Sequence, residues 1–317
     1  EIQCSTDVRY VIVDTPGHVD FAPEMERVLP VLDYCVVVIS AADGIQGHTR
    51  TLKRLLDEYG VPFFIFVNKM DREGADREKL TDELVREFGD GCVDIGDVTE
   101  KFEGEIAEEI AMLDEDVMES YLETGRIAVS DVKKLISDRK MHPIFFGSAL
   151  KMDGISGFYK SLITLTKPCM AKDPTGSEDK YIKDKNKINS EGGDKNISNS
   201  YDESNFGAII FKISRDENGE RLTHLRVTSG SLTPKQPIKT GDEVEKADQL
   251  RLYTGDGYEL MDEAAAGDIC AVTGLRHTFP GQGLGIEDDL EPPVIEPVMS
   301  YALRLEDGVS EVAFLPK

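Results

Sequence analysis

The sequence predicts an α/β domain with a mainly parallel sheet, followed by an antiparallel β-barrel. In the first half, apolar β-branched runs at residues 9–14, 34–40 and 62–68 alternate with segments of helical periodicity. Short continuous apolar runs between amphipathic helices are typical of a parallel sheet buried on both faces. From residue 206 onward, short strand-like segments are separated by glycine-rich turns, which is typical of an antiparallel barrel.

Helical periodicity follows each of the first two apolar runs. Residues 23–32 carry it up to Pro30, which should end or kink the helix. In residues 46–60, three leucines share one face and Gly60 supplies a stop signal. Four further helices and one strand are predicted, the helices at 76–89, 102–122, 130–139 and 154–166 and the strand at 142–149.

We expect four segments along the chain. The parallel-sheet domain covers residues 1–166, and the polar stretch 167–205 is a linker or surface loop without a core of its own. The barrel covers residues 206–290, and residues 291–317 look like the beginning of a third domain. Both ends look cut, so we expect a piece of a longer protein.

The composition is that of a globular protein without a membrane segment. The 317 residues are 40% hydrophobic, yet the apolar runs are far shorter than the roughly 20 residues that cross a bilayer. No signal peptide is visible, which predicts a cytoplasmic protein, and the five scattered cysteines predict reduced thiols. The net charge of −25 argues against nucleic-acid binding by charge alone, but leaves open an RNA-containing partner held by local patches.

An acidic residue, a glycine and a histidine lie together where the first apolar run ends, in "DTPGH" at 14–18. Asp14 would lie at the carboxyl end of a strand, where open α/β sheets bind ligands. Gly17 has no Cβ, so its backbone N–H can approach a phosphate oxygen, and His18 could place a water against that phosphorus. Taken alone, the pattern fits a plain turn with an exposed histidine equally well.

Two more polar loops follow apolar runs, "VNKMD" and "GSA". The Asp71 carboxylate can accept both N1–H and N2–H of guanine, while Asn68 holds the base edge and the Lys69 stem lies along the ring. The small Ala149 would let a backbone N–H reach guanine O6, and Ser148 could tether that loop. Each motif alone is weak, but all three loops follow strands of one predicted parallel sheet.

"DTPGHVDF", "VNKMDREGAD" and "GSALKMDGI" together resemble the translational GTPases and are specific to the elongation factor G group. The resemblance runs from about Tyr10 to the end, since "GAIIFKI", "RVTSGSL" and "AGDICAVTGL" resemble that group's barrel domain. It implies a P-loop-type GTPase domain followed by the translation-factor barrel. Residues 38–76, with Gln46, Thr49 and Arg50 after "DG", look closer to the tetracycline-resistance ribosomal protection proteins than to housekeeping elongation factor G.

The resemblance also implies what the protein does. It would be a monomer that binds and hydrolyses GTP on the ribosome, with no membrane partner. Asp14 would hold Mg²⁺ through a water, the Gly17 N–H would touch the γ-phosphate, and His18 would position the attacking water.

On the base side, the resemblance implies contacts from both remaining loops. Asn68, Lys69 and Asp71 would read the guanine of GTP or GDP. Ser148 and the Ala149 N–H would complete the pocket.

The chain departs from this family in one respect. The G-x-x-x-x-G-K-[ST] loop that cradles the phosphates is absent, and so is the Thr-bearing switch segment expected upstream of Glu1. We therefore expect GTPase activity in the full-length protein and none in this piece. Two alternatives stay open: housekeeping elongation factor G, which moves tRNA and mRNA, and a non-catalytic module that kept the guanine loops and lost hydrolysis.

Overall fold

The computed structural model describes residues 9–15, 17, 22–96, 101–167, 206–241, 243–255 and 257–295. The chain divides into two compact units. We call residues 32–168 the sheet unit, and residues 1–31 with 169–317 the barrel unit. The linker predicted at 167–205 lies outside the described residues except for Lys167, as does most of the expected third domain.

Seven helices lie in the described part of the chain. In chain order they are α1 (Ala22–Val28), α2 (Gly47–Glu58), α3 (Arg77–Phe88), α4 (Glu105–Ala111), α5 (Glu115–Thr124), α6 (Val129–Ser137) and α7 (Ile155–Leu165). Among the described residues, none of these helices has the length and apolar character needed to cross a membrane.

The sheet unit is built on a four-stranded parallel sheet. Its strands and those of a small separate ladder are β1 (Cys35–Ser40), β2 (Phe63–Asn68), β3 (Cys92–Asp94), β4 (Lys101–Phe102), β5 (Ile127–Ala128) and β6 (His142–Phe146). The order in the sheet is β1-β2-β6-β3, and every neighbouring pair is parallel. Because β2 is central and buried on both faces, its sequence is an unbroken apolar run. The predicted parallel sheet is confirmed.

The prediction of a strand at residues 9–14 is wrong. Residues 9–15 are described but form neither strand nor helix, and the side chains of Val11 and Ile12 are 41% and 72% exposed. Apolar β-branched residues favour extended backbone, but a strand also requires a hydrogen-bonded neighbour, and this run has none among the described strands. Asp14 therefore does not follow a strand of the sheet.

Most predicted helices are confirmed, with one correction. The helix expected over 102–122 is interrupted at 112–114, where the side chain of Asp114 accepts the N–H groups of Asp116 and Val117. These hydrogen bonds begin a new helix, since an N-terminal aspartate satisfies N–H groups that lack partners in the helix itself. As expected, α1 ends before Pro30, which lies in a 3₁₀ turn at Leu29–Val31.

The barrel unit is antiparallel throughout its described strands, as predicted. They are β7 (Gly207–Arg215), β8 (Arg221–Ser229), β9 (Ser231–Leu232), β10 (Pro237–Thr240), β11 (Glu243–Lys246), β12 (Leu250–Thr254), β13 (Gly257–Met261), β14 (Ala264–Ala265), β15 (Ile269–Val272) and β16 (Gly283–Gly285). Six of them form one sheet in the order β13-β12-β15-β8-β7-β16, and β10-β11 and β14-β9 form two short ladders. Side chains from this sheet and both ladders pack into one core.

Helix α1 packs in the barrel unit through a buried acidic side chain. Glu26 is 0% exposed, and its two carboxylate oxygens accept the backbone N–H groups of Val294 at 2.5 Å and Ile295 at 2.8 Å. A buried carboxylate is costly unless it is hydrogen-bonded, so these two donors stabilise its burial. The contact joins parts of the chain that are 268 and 269 residues apart in sequence.

The described cysteines and two of the histidines are buried or partly buried. Cys35, Cys92 and Cys270 are free thiols, and burial raises the pKa of each to about 12. His142 stacks on a phenylalanine, and His224 shares a 2.7 Å hydrogen bond between its Nε2 and the Ser214 hydroxyl. For these described cysteines, the prediction of reduced thiols agrees with the structure.

Candidate functional site

The loops after β2 and β6 lie next to each other because these two strands are paired. Val67 is the register partner of Phe146, so the loop that starts after Asn68 and the loop that starts at Gly147 leave the same edge of the sheet. The carboxyl edge of a parallel sheet is where α/β folds bind ligands. The two predicted base-reading loops are thus brought together as the sequence predicts.

Direct hydrogen bonds cross-link these two loops. The Oδ1 atom of Asn68 accepts two hydrogen bonds, one from the backbone N–H of Ala149 at 2.9 Å and one from the backbone N–H of Lys69, the next residue, at 2.8 Å. The Met70 N–H also donates to the Gly147 carbonyl at 3.0 Å. An asparagine oxygen has two lone pairs, so with both engaged Asn68 can offer a ligand only its NH₂ group.

Asp71 is an exposed carboxylate whose pKa is lowered by a hydrogen bond from the second loop. The Ser148 hydroxyl donates a hydrogen bond to it, and this is the main reason that the pKa of Asp71 is below its usual value. Lys151 and Arg72 lower the pKa further through their positive charges. An ionised carboxylate only accepts hydrogen bonds, which is the state needed to receive two N–H groups from guanine.

Ser148 is fixed by its own loop. Its side chain is buried, with 2% of the residue exposed, and its backbone exchanges two 3.0 Å hydrogen bonds with the backbone of Asp153. A Cβ on Gly147 would lie 2.4 Å from the Asp153 carbonyl oxygen, and Gly154 has a φ of +72°. Both glycines are therefore required for this tight return of the chain.

The partners Asp153 and Gly154 were not predicted as functional residues from the sequence. The only available signal was the Asp-Gly pair in "GSALKMDGI", which is typical of a turn. Their contribution is to hold Ser148, which in turn contacts Asp71.

Lys69 is placed at the turn between β2 and the base loop. Its φ is +65°, an uncommon backbone conformation for a residue other than glycine. Its Nζ lies 3.9 Å from Oδ2 of Asp43, which follows β1. Both side chains are about half exposed, so this ion pair adds little stability and the lysine stem stays accessible to a ligand.

The predicted phosphate-side residues either belong to the barrel unit or lie outside the described residues. Asp14 and Gly17 are exposed residues of the barrel unit, and a Cβ on Gly17 would meet no atom within 4 Å. His18 lies outside the described residues. Within the described part of the chain, no three His, Cys, Asp or Glu side chains cluster in a way that could hold a metal ion.

Comparison with known protein families accounts for the first half of the chain. The model of the elongation factor Tu GTP binding domain matches residues 2–168. The chain belongs to this family. The model of elongation factor G domain 2 matches residues 205–284, so the similarity is to translation factors of the elongation factor G type.

Individual relatives agree with this assignment. Elongation factor G of Mycoplasma genitalium is 30% identical over 346 aligned positions, which cover 92% of this chain and 48% of that protein. A crystal structure of a Thermus thermophilus protein shares the fold, with a TM-score of 0.67 and 18% identity over 89% of this chain and 45% of that one. The chain thus spans about half the length of these relatives.

Proposed function

We propose that the protein binds and hydrolyses GTP as a translation factor on the ribosome, and that Asp71 with Ala149 reads the guanine base. The cross-linked pair of loops carries this proposal, because Ser148, which donates a hydrogen bond to the Asp71 carboxylate, directly precedes Ala149, whose N–H is the donor. Asp71 would accept N1–H and N2–H, and the Ala149 N–H would donate to O6. That N–H already donates to Asn68, so O6 would share the hydrogen or replace the asparagine oxygen.

On the phosphate side, Asp14, Gly17 and His18 keep the roles that the sequence motif predicts. Asp14 would hold Mg²⁺ through a water, the Gly17 N–H would contact the γ-phosphate, and His18 would orient the attacking water. An exposed carboxylate suits this assignment, because Mg²⁺ usually keeps several waters and takes few protein ligands beside the phosphates. When bound, the ion would neutralise charge that develops on the phosphates.

Substitution of Asp71 tests guanine recognition. In the protein as its gene encodes it, Asp71→Asn should weaken GTP binding and favour xanthosine triphosphate, whose C2 carbonyl would meet the new amide donor. Competition of GTP and xanthosine triphosphate against a fluorescent guanine nucleotide measures this preference. Equal weakening of both nucleotides, or no change, would reject the role of Asp71.

We further propose that the protein is of the ribosomal protection type. The similarity of residues 38–76 to tetracycline-resistance ribosomal protection proteins, including Gln46, Thr49 and Arg50, supports this. The decisive measurement is peptide synthesis by purified ribosomes in tetracycline, with and without the protein and GTP. Restored synthesis supports protection, and synthesis that stays inhibited rejects it.

Translocation is the second candidate, favoured by the 30% identity to a protein named elongation factor G. In that case the protein should replace elongation factor G in moving tRNA and mRNA through ribosomes in the absence of the drug. A protein that binds guanine nucleotides but shows no ribosome-stimulated hydrolysis would instead be a non-catalytic interaction module.

A further inference from the structure

One arginine at the start of α3 contacts two other elements of the sheet unit. Arg77 is the first residue of α3, and its guanidinium carbon lies 4.8 Å from the ring centroid of Phe146, the last residue of β6. The same guanidinium binds the Asp94 carboxylate at the end of β3, with Nε–Oδ2 and Nη2–Oδ1 distances of 2.5 and 2.6 Å. A single side chain therefore joins α3, β6 and β3.

These contacts fall at one end of each base-reading loop. The loop that carries Asp71 ends where the side chain of Asp76 accepts the Lys79 N–H and begins α3, directly before Arg77. The loop that carries Ser148 and Ala149 begins directly after Phe146. The stacking of Arg77 on Phe146 thus links the end of the first loop to the start of the second.

The third partner, Asp94, adds a two-point ion pair to this link. Asp94 lies opposite Ile144 of β6 in the parallel register, and its carboxylate also accepts the Gly96 N–H at 3.2 Å. Hydrogen bonding to Asp94 raises the pKa of Arg77 above its ordinary value. A two-point arginine–carboxylate pair fixes direction as well as distance, and stacking on an aromatic ring adds a further constraint.

We propose that Arg77 is a positioning residue for guanine recognition, setting the separation between the Asp71 carboxylate and the Ala149 N–H. This rests on the proposed function, because it concerns how the same loops read the base. Guanine O6 and its N2 amine lie at opposite ends of one base edge, so both contacts form together only if the loops are held to within about 0.5 Å. This positioning role does not depend on the phosphate-side residues Asp14, Gly17 and His18.

The test is the preference for GDP over inosine diphosphate, which lacks the N2 amine that Asp71 would bind. In the protein as its gene encodes it, Arg77→Gln should lower GDP affinity about tenfold and inosine diphosphate affinity by no more than about threefold, since loose loops lose the second Asp71 contact first. Competition of each nucleotide against a fluorescent GDP analogue gives both affinities.

Three further variants separate positioning from general stability. Arg86→Gln removes an exposed arginine from the same helix and should keep the wild-type preference. Phe146→Leu removes the stacking surface from the other side and should lower the preference as Arg77→Gln does, which also provides the test if Arg77→Gln fails to fold. Arg77→Lys keeps the charge without the two-point geometry and should also lose preference.

A preference that stays within about twofold in folded Arg77→Gln and Phe146→Leu, with only a lower unfolding temperature, would overturn the proposal. Failure of the proposed function gives a different result, because the wild-type protein would then show no preference for guanine over adenine nucleotides.

Discussion

The side-chain oxygen of Asn68 accepts the backbone N–H of Ala149 at 2.9 Å, so one residue of the first base loop holds the second loop directly. The two residues are 81 positions apart in sequence. Asn68 therefore supports the geometry of the site in addition to any contact that it makes with the base.

Removing that oxygen should loosen the site. In Asn68→Ala, the N–H groups of Ala149 and Lys69 lose their acceptor, which should cost about 1 kcal/mol in the free energy of unfolding, the usual net contribution of one hydrogen bond, since both donors are exposed and water can replace the oxygen. GDP affinity should fall by at least about tenfold because both base loops shift. Urea unfolding and nucleotide titration measure the two effects.

Asn68→Asp is the matched control for this prediction. It keeps acceptor oxygens for both backbone N–H groups but loses the NH₂ group that would face the base. Its unfolding free energy should lie closer to wild type than that of Asn68→Ala, while its GDP affinity should still fall. Equal stability of all three proteins would show that the Asn68 hydrogen bonds are not important for the loops.

The buried carboxylate of Glu26 should be important for the barrel unit. Glu26→Gln keeps the shape of the side chain, but its NH₂ group would face one of the two backbone N–H donors, from Val294 or Ile295. We expect a loss of about 2–3 kcal/mol in unfolding free energy, since hydrogen bonds to a buried charge are stronger than neutral ones. Amide hydrogen exchange at Val294 and Ile295 should accelerate.

Glu24→Gln is the comparison, because Glu24 lies on the same helix and is exposed. Its effect on stability should remain within about 0.5 kcal/mol, the usual range for a surface substitution. If Glu26→Gln left both stability and amide exchange at Val294 unchanged, the contact would not stabilise the unit.

The sequence predicted those parts of the fold that depend on local pattern. The strands before Asn68 and Gly147 are buried apolar runs, and their pairing brings the loops together as expected. The prediction for residues 9–14 failed because β-branched composition shows a preference for extended backbone without showing a partner strand.

Contacts between residues that are distant in the chain could not be predicted from the sequence, for a related reason. The Ser148–Asp153 exchange and the stacking of Arg77 on Phe146 depend on how loops and helix ends meet in three dimensions. No spacing rule encodes such meetings, whereas helix and strand periods are read from neighbouring residues. The roles of Asp14 and His18 stay predictions.

His142 should make the sheet unit less stable in mild acid. Its ring is buried and stacks on Phe63 at 3.9 Å between centroids, and burial lowers its pKa from 6.5 to about 4. Between these values the unfolded chain binds a proton that the folded chain does not, so unfolding free energy rises with pH. The contribution of neutral His142 to the free energy of unfolding is fully present above about pH 6.5. It is lost progressively as the pH falls toward 4, by about 3 kcal/mol in total.

His142→Leu isolates this contribution, because leucine has similar volume and no titrating group. Whatever its absolute stability, the variant should show a smaller decrease in urea midpoint between pH 7 and pH 4 than the wild-type protein. Parallel pH profiles for the two proteins would mean that His142 is protonated in the folded state or is not a source of the dependence.

His18 should control hydrolysis more than binding. In the protein as its gene encodes it, His18→Ala should leave GTP affinity nearly intact, because the proposed role of the side chain is to hold the attacking water rather than the nucleotide. Ribosome-stimulated hydrolysis should slow by at least about a hundredfold, the lower range for losing a positioned catalytic group. Turnover without ribosomes should change much less, since such a residue contributes fully only when the partner holds it in place.

Single-turnover hydrolysis with and without ribosomes measures both rates. A stimulated rate within about threefold of wild type would mean that "DTPGH" is a plain turn.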